Sequence, residues 1–78
     1  MDISGLVVKT APEHLDEVLR TLGLLQWCDI HFKDESGKIV ITIESSSNDE
    51  TIKKMKEIID IKNVASADLA YAYTGEGL

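Results

Sequence analysis

The side chains that most often carry out chemistry in small proteins are few here and far apart. Cys28 is the single cysteine, so the chain has neither a CxxC pair nor an intrachain disulfide. The two histidines, His14 and His31, have no second ligand at the spacing that a metal site needs. The serine run at 45–47 has no histidine and carboxylate partners and is typical of a loop and helix cap. These patterns predict no catalytic set, no metal and no cofactor.

Anion chemistry is equally unsupported. The chain has no glycine-rich phosphate loop. A small enzyme of acylphosphatase type would need an arginine near the first strand, but the only arginine, Arg20, falls in the middle of a predicted helix. We therefore expect that this protein is not an enzyme.

Length and charge limit the classes of partner. With 78 residues there is room for one domain, and a domain of this size buries only roughly 60% of its unfolded surface. The net charge of -6 disfavours nucleic acid and anionic membranes and favours a cationic partner. Solubility alone would also explain a negative charge of this size.

The chain begins without the features of an export signal. Its N-terminus lacks a cationic segment, and the chain has no apolar run long enough to span a membrane. A small domain without disulfides fits a reducing compartment. We expect a cytoplasmic protein without membrane insertion.

Apolar periodicity predicts six elements in the order β-α-β-β-α-β. The predicted strands cover residues 3–8, 29–33, 38–44 and 65–73, and the two helices lie between them at 10–23 and 47–59. The capping-box spacing at Thr10 and Glu13 marks the first helix start, and Ser47 and Glu50 mark the second. Gly37 closes the turn at 34–37.

This order predicts an α+β, ferredoxin-like fold. Right-handed crossovers give a four-stranded antiparallel sheet with both helices on one face, and the other face stays open. Residues 1–73 are expected to form the single domain, with a flexible C-terminal tail at 74–78.

Strand alternation predicts which side chains occupy the open face. Residues expected to face the helices are Leu6, Val8, Ile30, Phe32, Ile39, Ile41, Ile43, Leu69 and Tyr71. The open face should carry a stripe of small or apolar residues, Gly5, Val7, Val40, Thr42, Ala70 and Ala72, edged by Asp29, His31, Glu44 and Asp68. Such a face lacks the exposed aromatic residues with which RNA-recognition domains stack bases. It suits an amphipathic peptide, although β propensity alone also explains exposed Val and Thr.

Several runs of residues, in order, resemble a known family. They are SGLVV at 4–8 followed by Pro12-Glu13, GKIVI at 37–41, and DLAY at 68–71. This series resembles the NapD family over about residues 3 to 73. Three places depart from the family pattern. Trp27-Cys28 and Asn63 stand where a Gly is common before the second and fourth strands, and Ala72 stands where a His is common after the closing Tyr.

The resemblance implies a function. Proteins similar to this one are cytoplasmic chaperones that bind the twin-arginine signal peptide of the periplasmic nitrate reductase catalytic subunit. They delay export until that subunit has received its cofactors, and they bind no cofactor themselves. On this hypothesis the peptide lies on the predicted open face, and Glu44 and Asp68 meet its arginines.

A second hypothesis comes from a different class of protein. Related βαββαβ modules pair through their sheets or helices and bind metabolites at the interface. This chain would then be a small-molecule-binding regulatory domain that acts as a dimer. A weak homo-oligomer is also left open under the chaperone hypothesis.

Overall fold

The computed structural model describes the backbone of residues 2–74 and the side chains of residues 2–71. The described elements are β1 (Asp2–Thr10), a single 3-10 turn (Pro12–His14), α1 (Leu15–Gly23), β2 (Cys28–Lys33), β3 (Lys38–Ser45), α2 (Asn48–Ile59) and β4 (Val64–Thr74). The four strands pair antiparallel in the order β2-β3-β1-β4, which confirms the ferredoxin-like fold. Thr74, predicted to begin the tail, ends β4, and residues 75–78 lie outside the described residues.

The core lies between one face of the sheet and the two helices. The isoleucines of β3, which are Ile39, Ile41 and Ile43, have no exposed surface. Apolar residues from the neighbouring elements close around them: Leu6 and Val8 of β1, Val18 and Leu22 of α1, and Ile58 of α2. Full burial of each such side chain contributes about 1.5–3 kcal/mol. The alternation of β3 therefore assigns one face of the sheet to the core.

The start of the first helix differs from the prediction. The hydroxyl of Thr10 donates to the carbonyl of Asn63, 2.7 Å away, and does not cap a helix. The chain passes through the 3-10 turn at Pro12–His14 before α1 begins, and no side chain caps either element. The capping box expected at Thr10 and Glu13 is therefore wrong, because Thr10 is the last residue of β1, and Ala11 stands at the start of the 3-10 turn instead.

The second helix begins as predicted, with one change. The Ser47 hydroxyl accepts from the backbone N–H of Glu50 at 3.2 Å, so Ser47 is the N-cap. The Glu50 carboxylate does not return to the cap, because it accepts from Ser46 and Lys54. Half of the predicted capping box is therefore present.

The apolar side of α2 is only partly covered. Ile58 is fully buried and Met55 packs against the core. The helical spacing of Ile52, Met55, Ile58 and Ile59 predicts that all four share one buried face, but Ile52 and Ile59 are about half exposed. Fewer apolar residues of α2 are therefore buried against the sheet than the sequence pattern predicts.

Two residues adopt backbone conformations with positive φ. Gly37 has φ 100 in the β2–β3 turn, where its carbonyl accepts from the N–H of Thr10 at 2.9 Å. Asn63 has φ 73 just before β4, and asparagine is among the few residues that tolerate this region. Asn63 therefore takes a conformation that a glycine at the same position would also allow.

Replacement of Gly37 with alanine should destabilise the fold. An added Cβ would lie 1.9 Å from the carbonyl oxygen of Thr10. The positive φ of residue 37 also disfavours any L side chain. We expect Gly37→Ala to lower the free energy of unfolding by at least about 1–3 kcal/mol, measured by urea denaturation.

Gly23→Ala is the matched control, because no atom lies within 4 Å of the added Cβ at the end of α1. Its free energy of unfolding should be unchanged or raised by up to about 1 kcal/mol. Equal stability of the two variants would contradict the close approach of the turn to β1.

Candidate functional site

The floor of the open face comes from the two central strands. Val7 of β1 pairs directly with Val40 of β3, and each lies between two buried neighbours in its own strand. Both valines are therefore turned away from the helices, and both are partly exposed. Thr42 follows Val40 on the same face, as predicted.

A β-bulge in the edge strand β2 reverses the predicted position of Phe32. Ile30 pairs with Ile41, but Phe32 pairs with Val40, so His31 is an extra residue. Because cross-strand partners share a face, Phe32 lies on the open face, and its ring is 52% exposed. The prediction that Phe32 faces the helices is wrong, since alternation does not persist through a bulge.

The extra residue also faces outward. His31 Nε2 lies 2.7 Å from Thr42 Oγ1, which forms a hydrogen bond on the open face. His31 was predicted on this face, and the contact confirms that position. The imidazole therefore orients the Thr42 hydroxyl, which borders the valine floor.

A second bulge has the same effect in β4. Leu6 pairs with Leu69, but Gly5 pairs with Tyr71, so Ala70 is the extra residue. A Cβ added at Gly5 would lie 2.1 Å from Tyr71 Cε1, which means that the ring covers Gly5 on the open face. The prediction that Tyr71 faces the helices is wrong, and its side chain is 52% exposed.

The bulge in β4 changes which of the predicted peptide-contact residues near this strand are exposed on the open face. Gly5 has the predicted orientation but is buried beneath the Tyr71 ring, so the ring forms the surface there. Ala70 is exposed within the bulge. The Ala72 side chain lies outside the described residues, and its backbone pairs with Ser4. Leu69 was expected inside, yet half of its surface is exposed on this edge strand.

Two rows of side chains cross the open face. From β4 to β2, one row is Asp68, Val7, Val40 and Phe32, and the other is Tyr71, Gly5, Thr42 and Asp29. Each row has an aromatic ring at one edge strand and an aspartate at the other. The two rings therefore flank the valine floor from diagonally opposite edges, and neither was predicted there.

Charge differs between the two ends of the open face. Lys9 and Lys38 pair directly with one another at one end, and both are exposed. Like charges placed opposite each other on one face destabilise a sheet. At the other end Glu44 is exposed and pairs with Ile3. The face is therefore cationic where β1 ends and anionic where β3 ends.

A groove adjoins the anionic end. It measures about 480 Å³ and is lined by Gln26, Trp27, Glu44, Ser45, Ser46, Glu50 and Lys54. The Lys54 ammonium lies 5.2 Å from the centre of the Trp27 ring and 2.7 Å from Glu50 Oε1. It also donates to the carbonyl of Glu44 at 2.6 Å. The helical spacing of the isoleucines in α2 predicts Lys54 mostly outside the apolar face, and nothing in the sequence indicates its cation–π contact with Trp27.

Electrostatics in the groove favour the ionised form of Glu50. The Lys54 ammonium and the Ser46 hydroxyl donate to Glu50 and lower the pKa of its carboxyl to about 2. Glu50 therefore remains charged throughout the neutral and mildly acidic range.

Reactive and metal-binding groups offer no chemistry in the described part of the chain. Burial, and then the nearby Asp29 charge, raises the pKa of the Cys28 thiol to about 11, so this cysteine is a poor nucleophile at neutral pH. Among the described residues, no three histidine, cysteine or acidic side chains lie together as metal ligands would. Nor do the described helices include one with the length and apolar character for crossing a membrane.

The match to a family model covers residues 1–76, and the family is described as NapD protein. The chain belongs to the NapD family. A solved structure with the same fold is the solution structure of the E. coli Tat proofreading chaperone protein NapD, with a TM-score of 0.83 at 19% identity. That match covers 97% of this chain and 81% of the other. The curated proteins include no significant match.

The stacking of Tyr71 on Gly5 in this NapD-family chain has a direct spectroscopic test. A ring above an α-carbon shields its protons, so the Gly5 Hα resonances should lie upfield of their usual range in an NMR spectrum. Tyr71→Leu should return them to that range, while the exposed Gly23, remote from any side chain, serves as control. Ordinary Gly5 shifts in the unmodified protein would show that the ring lies elsewhere.

Proposed function

We propose that this chain is a cytoplasmic chaperone that binds the twin-arginine signal peptide of a periplasmic nitrate reductase catalytic subunit. By holding that peptide it delays export until the cofactors have been inserted. The observation that carries the proposal is the sheet face that neither described helix covers, with a valine floor flanked by two exposed aromatic rings. Membership of the NapD family and the likeness to a structure described as a Tat proofreading chaperone support it.

The dimensions of the face suit a helical peptide. Four strands at about 4.8 Å spacing span roughly 14 Å, and a helix with its side chains is about 10 Å wide. The apolar side of an amphipathic helix would pack on Val7 and Val40, between Phe32 and Tyr71. Aromatic side chains contribute large contact areas at low entropic cost, so the two rings are the expected anchors.

The charge of the protein suits the same ligand. A net charge of -6 attracts a cationic peptide and speeds its encounter with the face. Asp29 and Asp68 are exposed at opposite edges of the floor, where they can pair with basic side chains. Such exposed pairs contribute little affinity each, so the apolar floor supplies most of the binding free energy.

Titration calorimetry with a synthetic signal peptide tests the function directly. The peptide should carry the twin-arginine sequence of the nitrate reductase encoded in the same genome, and a second peptide should have both arginines replaced by Gln. We expect binding of the first and clearly weaker binding of the second. Folded protein that releases no heat with either peptide at several temperatures would reject the chaperone proposal. A dimer that a metabolite stabilises against heat would then support the regulatory alternative.

A charge in the valine floor should weaken peptide binding. Val40→Glu would bury an unpaired carboxylate against the apolar side of the peptide, which costs more than the 1.4 kcal/mol that corresponds to tenfold in Kd. We therefore expect Kd to rise at least about tenfold in calorimetry, with an unchanged circular dichroism spectrum.

Ile52→Glu is the matched control, because Ile52 is about half exposed on α2, on the helix side of the sheet. It makes the same change of charge and a similar loss of apolar area without touching the floor. Peptide affinity equal to wild type in both variants would reject the sheet face as the binding surface.

A further inference from the structure

We propose that the groove between Trp27 and Glu44 binds the guanidinium group of one of the peptide's arginines. The peptide would then lie with its arginine end at the anionic end of the open face. This inference rests on the proposed function and adds a specific site and a direction to it.

The groove already accommodates a cation from this chain. The Lys54 ammonium occupies it, with the Trp27 ring, the Glu50 carboxylate and the Glu44 carbonyl around it. Only 16% of the Lys54 side chain is exposed, so this charge is largely withdrawn from water. A ring face together with a carboxylate and a carbonyl is a favourable environment for a positive group.

Glu44 is the acid at the edge of the groove that has no resident cation in the described part of the chain. Two acids, Glu44 and Glu50, and one base, Lys54, are among the lining residues, so the formal charges of the lining sum to one negative charge. Glu50 is paired with Lys54, whereas the Glu44 carboxylate has no ion-pair partner among the described side chains. A second cation would balance the groove, and Glu44 is the group that would accept from it.

The chemistry of the lining favours arginine over lysine. A guanidinium is planar, so it can stack on an aromatic ring while its N–H groups donate to a carboxylate. Trp27 is partly exposed at the groove, and its carbonyl accepts from the Glu44 N–H at 3.0 Å. This backbone bond makes Trp27 and Glu44 neighbours across the pairing of β2 with β3, and both residues line the groove.

The opposite end of the open face would repel the same group. Ile3 pairs with Glu44, and Lys9 pairs with Lys38 six residues further along β1. The lysine pair therefore lies roughly 20 Å from the Glu44 end of the face. Asp34 of the adjoining turn accepts from the backbone N–H groups of Ser36 and Lys38 and offsets part of this positive charge. A helix of about 13 residues spans the same 20 Å, so a peptide reversed on the face would place its arginines near the lysines.

A double-mutant cycle between Glu44 and the peptide arginines tests the proposal. Kd is measured for wild type and Glu44→Gln with the arginine peptide and with its Gln counterpart. Wild type should prefer the arginine peptide by about tenfold or more, and Glu44→Gln should reduce that preference to about threefold or less. Glu57→Gln, an exposed acid on α2 outside the groove, has the same change of charge and should keep the full preference.

Tryptophan fluorescence gives a second readout, because Trp27 is the only tryptophan in the chain. With peptides that lack tryptophan, binding of the arginine peptide should change the Trp27 emission, and binding of the Gln peptide should not. A change of equal size with both peptides would overturn the groove as the arginine site.

Removal of the resident lysine should strengthen arginine binding. Lys54→Met leaves both carboxylates of the groove free and uncovers the Trp27 ring, so the arginine peptide should bind several-fold more tightly. Lys53→Met makes the same change of charge at an exposed position of α2 and should have a smaller effect. Equal effects of the two variants would mean that only the net charge matters, and would overturn the proposal.

The outcomes separate this inference from the proposed function. One outcome is that Val40→Glu weakens peptide binding while Glu44→Gln keeps the full preference for the arginine peptide. That result would overturn the groove as the arginine site and would still support the chaperone function. Absence of peptide binding in any form would overturn both.

Discussion

The alternation of β3 against β1 is the constraint on which the rest of the structure depends. Ile39, Ile41 and Ile43 are fully buried, and the residues between them face the other side. A shift of register by one residue would exchange the two faces, so burial of three isoleucines fixes the register. Both described helices pack on one face, and neither covers the other face.

The edge strands interrupt this alternation at two places. One extra residue in β2 and one in β4 turn Phe32 and Tyr71 onto the open face, where strict alternation would direct them to the helices. A bulge changes the orientation of the side chains that follow it, and bulges are common at sheet edges next to functional sites. Both aromatic rings therefore lie on the candidate binding face and not in the core.

The open face carries charges of opposite sign at its two ends. Lys9 pairs directly with Lys38 at one end, which costs stability, and Glu44 is exposed at the other. Beside the Glu44 end, the Trp27 ring and Glu50 stabilise the Lys54 ammonium from α2. The opposite charges give the face an electrostatic direction, and an elongated ligand with one basic end would be sensitive to that direction.

The sequence by itself determined the order of elements, the two central strands of the open face and the absence of a recognisable catalytic set, because local periodicity and residue type report these directly. Only the tertiary structure decided the orientation of Phe32 and Tyr71, the long-range bond of Thr10 and the pairing of Lys54 with Trp27. Each of these depends on strand register or on contacts between residues distant in sequence. A pattern with a period of two residues does not reveal where one extra residue enters an edge strand, since that position is selected by pairing with the neighbouring strand.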